Sequence, residues 1–448
     1  MKCGDIVLLV EKQVIKRKHK TEPLFALLDS YCYKAKNLRN ATNYIIKQCY
    51  RIHTKLKQGE IIDSWEKVLI KRVNDAIYSY NHNKSYKLHY IDASNGYVAD
   101  AYFLSYYMKT TREYKDMPYS TCSQIVIQNL CRDWKAYYKS YKEFRKNPSK
   151  FLGMPTTPHY YDTETGRAWL VLTSQNFKVL STGDIKLPTF LNGLQLKTKH
   201  TNVRQLRIKT TANSIVINII YQVADVEMKE DNSRYMGIDM GIDNLMTVVS
   251  NTEMQPFIVN GRPLKSVNQY YNKRKAELQT KVMLCNGSNK PTKRIMKLNQ
   301  KRNNKVDDYL HKASKMVIMK ALQHNISKIV IGNNTGWKQE VSLGKRTNQT
   351  FVSIPFARLI QMLTYKAQQV GIEVTVVEER YTSGTSYIDN ETPVKDNYNK
   401  SRRKHRGLFV SNKGIAINAD VNGAYQILKK RYVISYKGVE STERLNVA

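Results

Sequence analysis

Between residues 24 and 57 apolar side chains return every three or four positions, at Leu24, Leu28, Tyr31, Ala35, Leu38, Ala41, Ile45, Cys49 and Ile52. That period places them on one face of a helix. The same period predicts helices at 64–80, 98–113 and 122–146. Ahead of them, the apolar run 6–11 reads as a short strand, followed by a basic loop at 16–20. Asn147-Pro148 and Gly153-Met-Pro155 stop the helical pattern. Short β-type runs with turn residues between them then follow, at 169–173, 183–187, 205–209 and 214–221. They predict a small antiparallel β domain of barrel type, which the first strand could join with the helical segment inserted. From residue 234 onward strands and helices alternate. Strands are expected at 235–241, 245–250, 328–332 and 372–377, long basic helices at 264–284 and 291–324, a helix at 354–370, and a last helix opening at Asp420.

This last ordering suits an α/β domain of the RNase H-like kind, whose strand ends converge on acidic residues. The predicted organisation is a first β strand in 1–18, a helical domain in 19–148, a β-barrel in 149–228 and the α/β domain in 229–448, with its basic helices in 264–324. Charge then narrows the function. The chain has 448 residues, with 73 Lys and Arg against 37 Asp and Glu, a net charge of +36. An excess of that size favours a polyanionic partner through phosphate contacts and counterion release. The 31 tyrosines, interleaved in places with lysine, suit base stacking beside phosphate neutralisation. The run Trp134-Lys-Ala-Tyr-Tyr-Lys-Ser-Tyr-Lys-Glu-Phe-Arg-Lys146 makes Lys139, Lys142, Arg145 and Lys146 candidates for nucleic-acid contact, with a solvated basic face as the plainer reading. Lys273, Arg274, Arg402, Arg403 and Arg406 are candidates on the same ground. None of the six cysteines forms a Cys-x-x-Cys pair, which predicts neither a zinc ribbon nor a disulfide framework and fits a reducing, cytoplasmic compartment. The start does not read as a signal peptide, and no apolar run approaches 18 residues.

Two aspartates carry the candidate chemistry. Tyr235-Met-Gly-Ile-Asp-Met-Gly-Ile-Asp-Asn-Leu delivers Asp239 from an apolar strand into a Gly-flanked turn. An aspartate there is costly to bury unless it is paired or bound to a metal. Asp243 reads as the turn residue of the hairpin, suited to positive φ. Ile417-Asn-Ala-Asp-Val-Asn-Gly-Ala places Asp420 at a helix start, where it could cap the helix, bind metal, or do both. Carboxylates held on separate rigid elements are what two Mg²⁺ ions about 4 Å apart require to hydrolyse a phosphodiester.

Met236-Gly-Ile-Asp-Met-Gly-Ile, Leu264-Lys-Ser-Val-Asn-Gln-Tyr-Tyr-Asn-Lys-Arg-Lys275, Tyr381-Thr-Ser383 and Asn418-Ala-Asp-Val-Asn-Gly-Ala424 together resemble TnpB, the transposon-encoded, RNA-guided nuclease family related to compact type V CRISPR effectors and Fanzor. Lys36-Asn-Leu-Arg-Asn-Ala-Thr-Asn-Tyr-Ile-Ile46 is similar to that family's first recognition helix, and Asn147-Pro-Ser-Lys-Phe-Leu-Gly153 to its passage into the wedge barrel. The resemblance implies a RuvC-type site with Asp239 and Asp420 as its first and last acids. The family's usual middle Glu falls at Gly332, which has no side chain to offer. Glu379, Glu378 and Glu340 are open as replacements, as is the absence of a middle acid. The arrangement in some relatives of a Glu separated by two residues from a Thr-Ser pair selects Glu379. The family's zinc-binding Cys pairs are missing, so a zinc-free basic lid is expected at 384–412. The implied function is an RNA-guided DNA endonuclease using Mg²⁺ or Mn²⁺, with a guide RNA and double-stranded target DNA bearing an adjacent motif as partners, in a bacterial cytoplasm at the nucleoid. The alternatives are a nuclease-dead, RNA-guided DNA-binding repressor and a conventional DNA transposase.

Overall fold

The computed structural model describes residues 7–82, 84–287, 290–333, 353–405, 407–435 and 442–447. The chain divides into two compact units, Met1–Ala224 and Asp225–Ala448.

In the first unit, β1 (Val7–Lys16) pairs antiparallel with β6 (Ser214–Val223), β6 with β5 (Val203–Thr211), and β5 with β2 (Leu170–Thr173). β1 runs beyond the apolar stretch that announced it, because its antiparallel pairing with β6 continues without a break as far as Lys16 opposite Ser214. The expected closed barrel is not formed by the described strands. The sheet has the open order β1-β6-β5-β2, and β3 (Lys178–Val179) and β4 (Ile185–Lys186) make a separate two-stranded ladder. With two residues each, those strands are too short to bridge its edges. Helices cover the sheet instead. α1 (Glu22–Lys57) and α5 (Ser120–Lys146) bury Leu28, Cys32, Val126 and Leu130 in one core with Leu170, Leu206, Ile208 and Ile217. Asp29 of α1 fixes the packing by accepting from Arg167 at 2.7 and 2.8 Å and from the Thr210 hydroxyl at 2.6 Å. The segments expected as separate helical and β domains therefore share a core. α2 spans Ser64–Asn81. The helix expected at 98–113 is two, α3 (Ala101–Met108) and α4 (Arg112–Lys115), because Thr111 accepts from the Tyr114 N–H and restarts the chain as a new N-cap.

The second unit is built on a six-stranded sheet. β7 (Tyr235–Met240), β8 (Asn244–Ser250) and β9 (Phe257–Asn260) form an antiparallel meander. β10 (Lys328–Gly332) joins β7 in parallel, and β11 (Glu373–Val377) joins β10 in parallel. The final strand of this sheet, Glu443–Leu445, lies parallel to β9 on the far edge. Both faces are covered, which is why β7, β8 and β10 read as nearly continuous apolar runs. One face packs Met236, Ile238 and Met246 against Leu310 and Val317 of α7 (Lys293–Gln323) and Leu359 and Leu363 of α8 (Phe356–Gln368). The other packs Val249 and Val330 against Val421, Ala424, Ile427 and Leu428 of α9 (Ala419–Lys429). α6 (Arg262–Asn286) leads into α7. Because β7, β10 and β11 run in the same direction, their carboxyl ends share one edge of the sheet, and Asp239, Gly332 and the residues after Val377 meet there.

Candidate active site

Each acid is delivered by a different element. Asp239 sits near the end of β7, its Cα opposite Thr247. Glu379 lies two residues beyond β11, where the chain turns sharply. The Thr382 hydroxyl and N–H both donate to the Glu379 carbonyl, at 2.8 and 3.2 Å, and Tyr381 between them takes a left-handed φ of 66°. The turn is anchored from below. Thr385 donates its hydroxyl to the Tyr381 carbonyl, and the buried Asn422 of α9 donates to the Thr385 carbonyl and accepts from the Tyr387 N–H. Asp420 lies in the first turn of α9 but does not cap it. Asn418 is the N-cap, its side chain accepting from the N–H groups of Asp420 and Val421 at 3.0 and 3.2 Å. The Asp420 carboxylate instead accepts from Asn244 Nδ2 at 2.6 Å and from Arg403 Nη2 at 3.2 Å.

Glycines bring the pieces close. A Cβ on Gly237 would lie 2.7 Å from the Ala424 carbonyl, so α9 can rest directly on β7. A Cβ on Gly423 would lie 3.0 Å from Asp239 Oδ2. The three carboxylates feel one another. Burial, then Glu379 and Asp420, hold the Asp239 carboxyl well above its ordinary range, against the opposing pull of Arg403. Burial pushes Glu379 up to about 7, opposed by Lys430. Glu378 is exposed and pairs with Arg380 at 3.1 Å, on the opposite side of the chain from Glu379. Glu340 lies outside the described residues. Asp243 does not have positive φ, contrary to expectation. It holds Lys265 Nζ at 3.0 Å, and its carbonyl accepts from the Gly261 N–H.

Asp239 and Asp420 open into a cavity of about 490 Å³, also lined by Asn244, Arg262, Arg403 and Arg444. Sequence reasoning missed three of these. Asn244 was legible only as a turn residue, and Arg262 and Arg444 gave no signal. Arg444 donates to Asn244 Oδ1 at 3.0 Å, so Asn244 links that guanidinium to Asp420. As placed, no three His, Cys, Asp or Glu side chains among the described residues close around a single point. The donor set nonetheless suits a hard divalent cation: three oxygen-bearing acids, with Asp239 carrying the unbalanced charge of its two neighbours.

Two family models match the chain. Residues 218–338 match OrfB_IS605, described as a probable transposase, and residues 356–427 match the Cas12f1-like TNB domain. Among curated proteins, a TnpB-like protein of Methanocaldococcus jannaschii, MJ0751, is 32% identical over 124 residues, covering 27% of this chain and 42% of that one. The TnpB-like protein ORF457 of Acidianus two-tailed virus is 26% identical over 208 residues, covering 45% and 43%. Over these segments the chain is similar to TnpB-like proteins. The aligned part spans less than half the length of these two TnpB-like relatives. Among solved structures, the Cas12f1-sgRNA-target DNA complex aligns with 94% of this chain and 98% of its own at 14% identity and a TM-score of 0.35. C2c1 of Alicyclobacillus acidoterrestris with single-guide RNA aligns with 88% and 69% at 8% identity and a TM-score of 0.40.

The basic candidates separate by environment. Lys139, Lys142, Arg145 and Lys146 are exposed on α5, while the aromatics between them turn inward, Trp134 fully buried and donating to Asn43 Oδ1 at 2.8 Å. The interleaving is thus an amphipathic helix, and Trp134 and Tyr137 are core residues, not a stacking platform. Lys273 is exposed, and Arg274 pairs with Glu277 one turn on. Arg402 is corrected: it is mostly buried in an ion pair with Glu391 at 2.6 Å, holding the segment before α9 together. Arg403 reaches the acids, and Arg406 lies outside the described residues. The region expected as a lid carries Arg403–His405 and Leu408–Val410, which with Ala416–Asn418 form a small antiparallel sheet. Among the described residues no helix is long and apolar enough to cross a membrane.

Proposed function

We propose that the protein is an RNA-guided, divalent-metal-dependent DNA endonuclease with a RuvC-type site formed by Asp239, Glu379 and Asp420. The observation that carries the reading is the convergence of three acids from β7, the turn after β11 and the start of α9, close enough that the charges of Glu379 and Asp420 add to burial in raising the Asp239 carboxyl. The sheet order supports it, because an antiparallel meander extended by two parallel strands is the order of an RNase H-like domain. The net charge of +36 supports nucleic-acid partners.

In this reading Asp239, Glu379 and Asp420 hold Mg²⁺ or Mn²⁺, which when bound supplies Lewis acidity for attack of water on phosphorus and charge stabilisation for the departing 3′ oxygen. Asn244 and the Asn418 cap orient Asp420, and Thr382 fixes the backbone that carries Glu379. Arg262, Arg403 and Arg444 neutralise the strand that enters the cavity. Water adds to phosphorus, the P–O3′ bond breaks, the 3′ oxygen takes the proton, and the downstream fragment keeps a 5′ phosphate. Sequence would be read by pairing between guide RNA and target, with the protein recognising a short adjacent motif and the heteroduplex backbone.

The test is cleavage by the protein purified with the RNA it retains from its native locus. A plasmid matching that RNA should be cut in Mg²⁺ or Mn²⁺ and left intact in chelator. Asp239→Asn and Asp420→Asn should each reduce cutting by at least about 100-fold, as expected when an electrostatic element of the transition state is removed. Tight guided binding with no nicking in Mn²⁺ would replace the nuclease by a DNA-binding repressor. Joining of transposon ends without RNA would replace it by a transposase.

A further inference from the structure

Gly332 closes β10 at the edge of the sheet where the acids gather. Its backbone does not call for glycine: it is absent from the left-handed positions, and it is paired in parallel register with Val377 like any strand residue. A glycine inside a buried strand gives up packing and costs conformational entropy, so its presence needs a local reason. The reason lies beside it. A Cβ on Gly332 would lie 2.6 Å from Glu379 Oε1 and 2.7 Å from Glu379 Cγ, with Ile427 Cδ1 at 2.5 Å. Contacts under about 3 Å force something to shift, and here the movable group on one side is the Glu379 carboxylate itself.

We infer that Gly332 is a positioning residue for catalysis: the missing side chain on β10 is the space through which Glu379 reaches Asp239. β10 and the turn after β11 then cannot both project a side chain at this point, so the location of the third acid is decided sterically. This rests on the proposed role of Glu379. Any residue larger than glycine at 332 displaces the Glu379 carboxylate from Asp239 while leaving the sheet intact.

The experiment uses the full chain carrying Gly332→Ala together with Ile427→Val. The valine removes Cδ1 and with it the clash that would otherwise strain the core, so the double variant folds with a melting temperature close to that of Ile427→Val alone. Two readouts follow. In a structure of the double variant the Glu379 carboxylate is expected to have left Asp239, and guided cleavage is expected to fall at least tenfold below Ile427→Val alone. A Glu379 side chain that keeps its place overturns the inference, as does undiminished cleavage. Glu379→Gln is the separate control for the underlying reading. If it cuts like the parent, Glu379 is not catalytic and the positioning role falls with it, whereas if it is inactive and the double variant cuts normally, only the inference about Gly332 fails.

Discussion

Asp239 and Glu379 are half-buried residues whose carboxyls are both held above their ordinary range, chiefly by loss of hydration, and this bears on how the metal-free protein responds to pH. Glu379 has an ordinary value of 4.5 and is raised to about 7; Asp239 is raised as well. Between the unfolded and folded values the folded state holds protons that the unfolded state has lost, so stability falls as pH rises through that window. In chelator, the melting temperature is therefore expected to decline from pH 5 to above pH 7. Glu379→Gln should flatten the decline, and Mn²⁺ should lift the melting temperature most at the alkaline end. A decline of equal slope in Glu379→Gln would remove Glu379 from the coupled set. Asn244 gives a second test at this scale. It donates to Asp420 at 2.6 Å and accepts from Arg444 at 3.0 Å. Asn244→Ala should lower cleavage about 10- to 100-fold by misorienting a metal ligand, with little change in guided DNA binding measured by gel shift.

At the scale of elements, α9 is the piece that assembles the site, since it carries Asp420, covers Asp239 through Gly423 and anchors the Glu379 turn through Asn422. Loss of its cap should be felt both in stability and in the site. Asn418→Ala is expected to cost about 1 kcal/mol of unfolding free energy, read by denaturant titration, and to lower cleavage as well, because the cap fixes the Asp420 N–H. Arg402 and Lys142 make a contrasting pair. Arg402→Ala leaves Glu391 buried without its partner and should destabilise the fold. Lys142→Ala, at an exposed position of α5, should change the melting temperature little. Equal destabilisation by the two would refute the distinction drawn between a structural and a surface cation. Most helices and strands were legible at this scale because their periods are strong. The divided helix at 98–113 was not, since a threonine cap in an otherwise periodic stretch does not interrupt the apolar pattern.

For the whole molecule, a net charge of +36 makes the affinity for nucleic acid steeply dependent on salt. Replacing Lys139, Lys142, Arg145 and Lys146 together by alanine should weaken RNA or DNA binding and make the logarithmic salt dependence shallower; an unchanged slope would show that this face of α5 carries no phosphate. The sequence by itself determined the β7 and α9 acids, because each sits in a short local pattern that fixes its strand or helix. It also determined the alternation of strands and helices after residue 234 and a charge balance that favours a polyanionic partner, since both follow from period and composition. It left the middle acid open among several glutamates, and it offered as a nucleic-acid contact Arg402, which is mostly buried in an ion pair. The tertiary structure decided that Glu379 lies against Gly332 while Glu378 is exposed and paired with Arg380, that Arg402 is spent on Glu391, and that the described β strands of the first unit form an open sheet covered by helices. The physical reason is common to these cases. A side chain has the same chemistry at every position, and only the packing of the strands and turns that carry it sets whether it is buried with a partner or left at the surface.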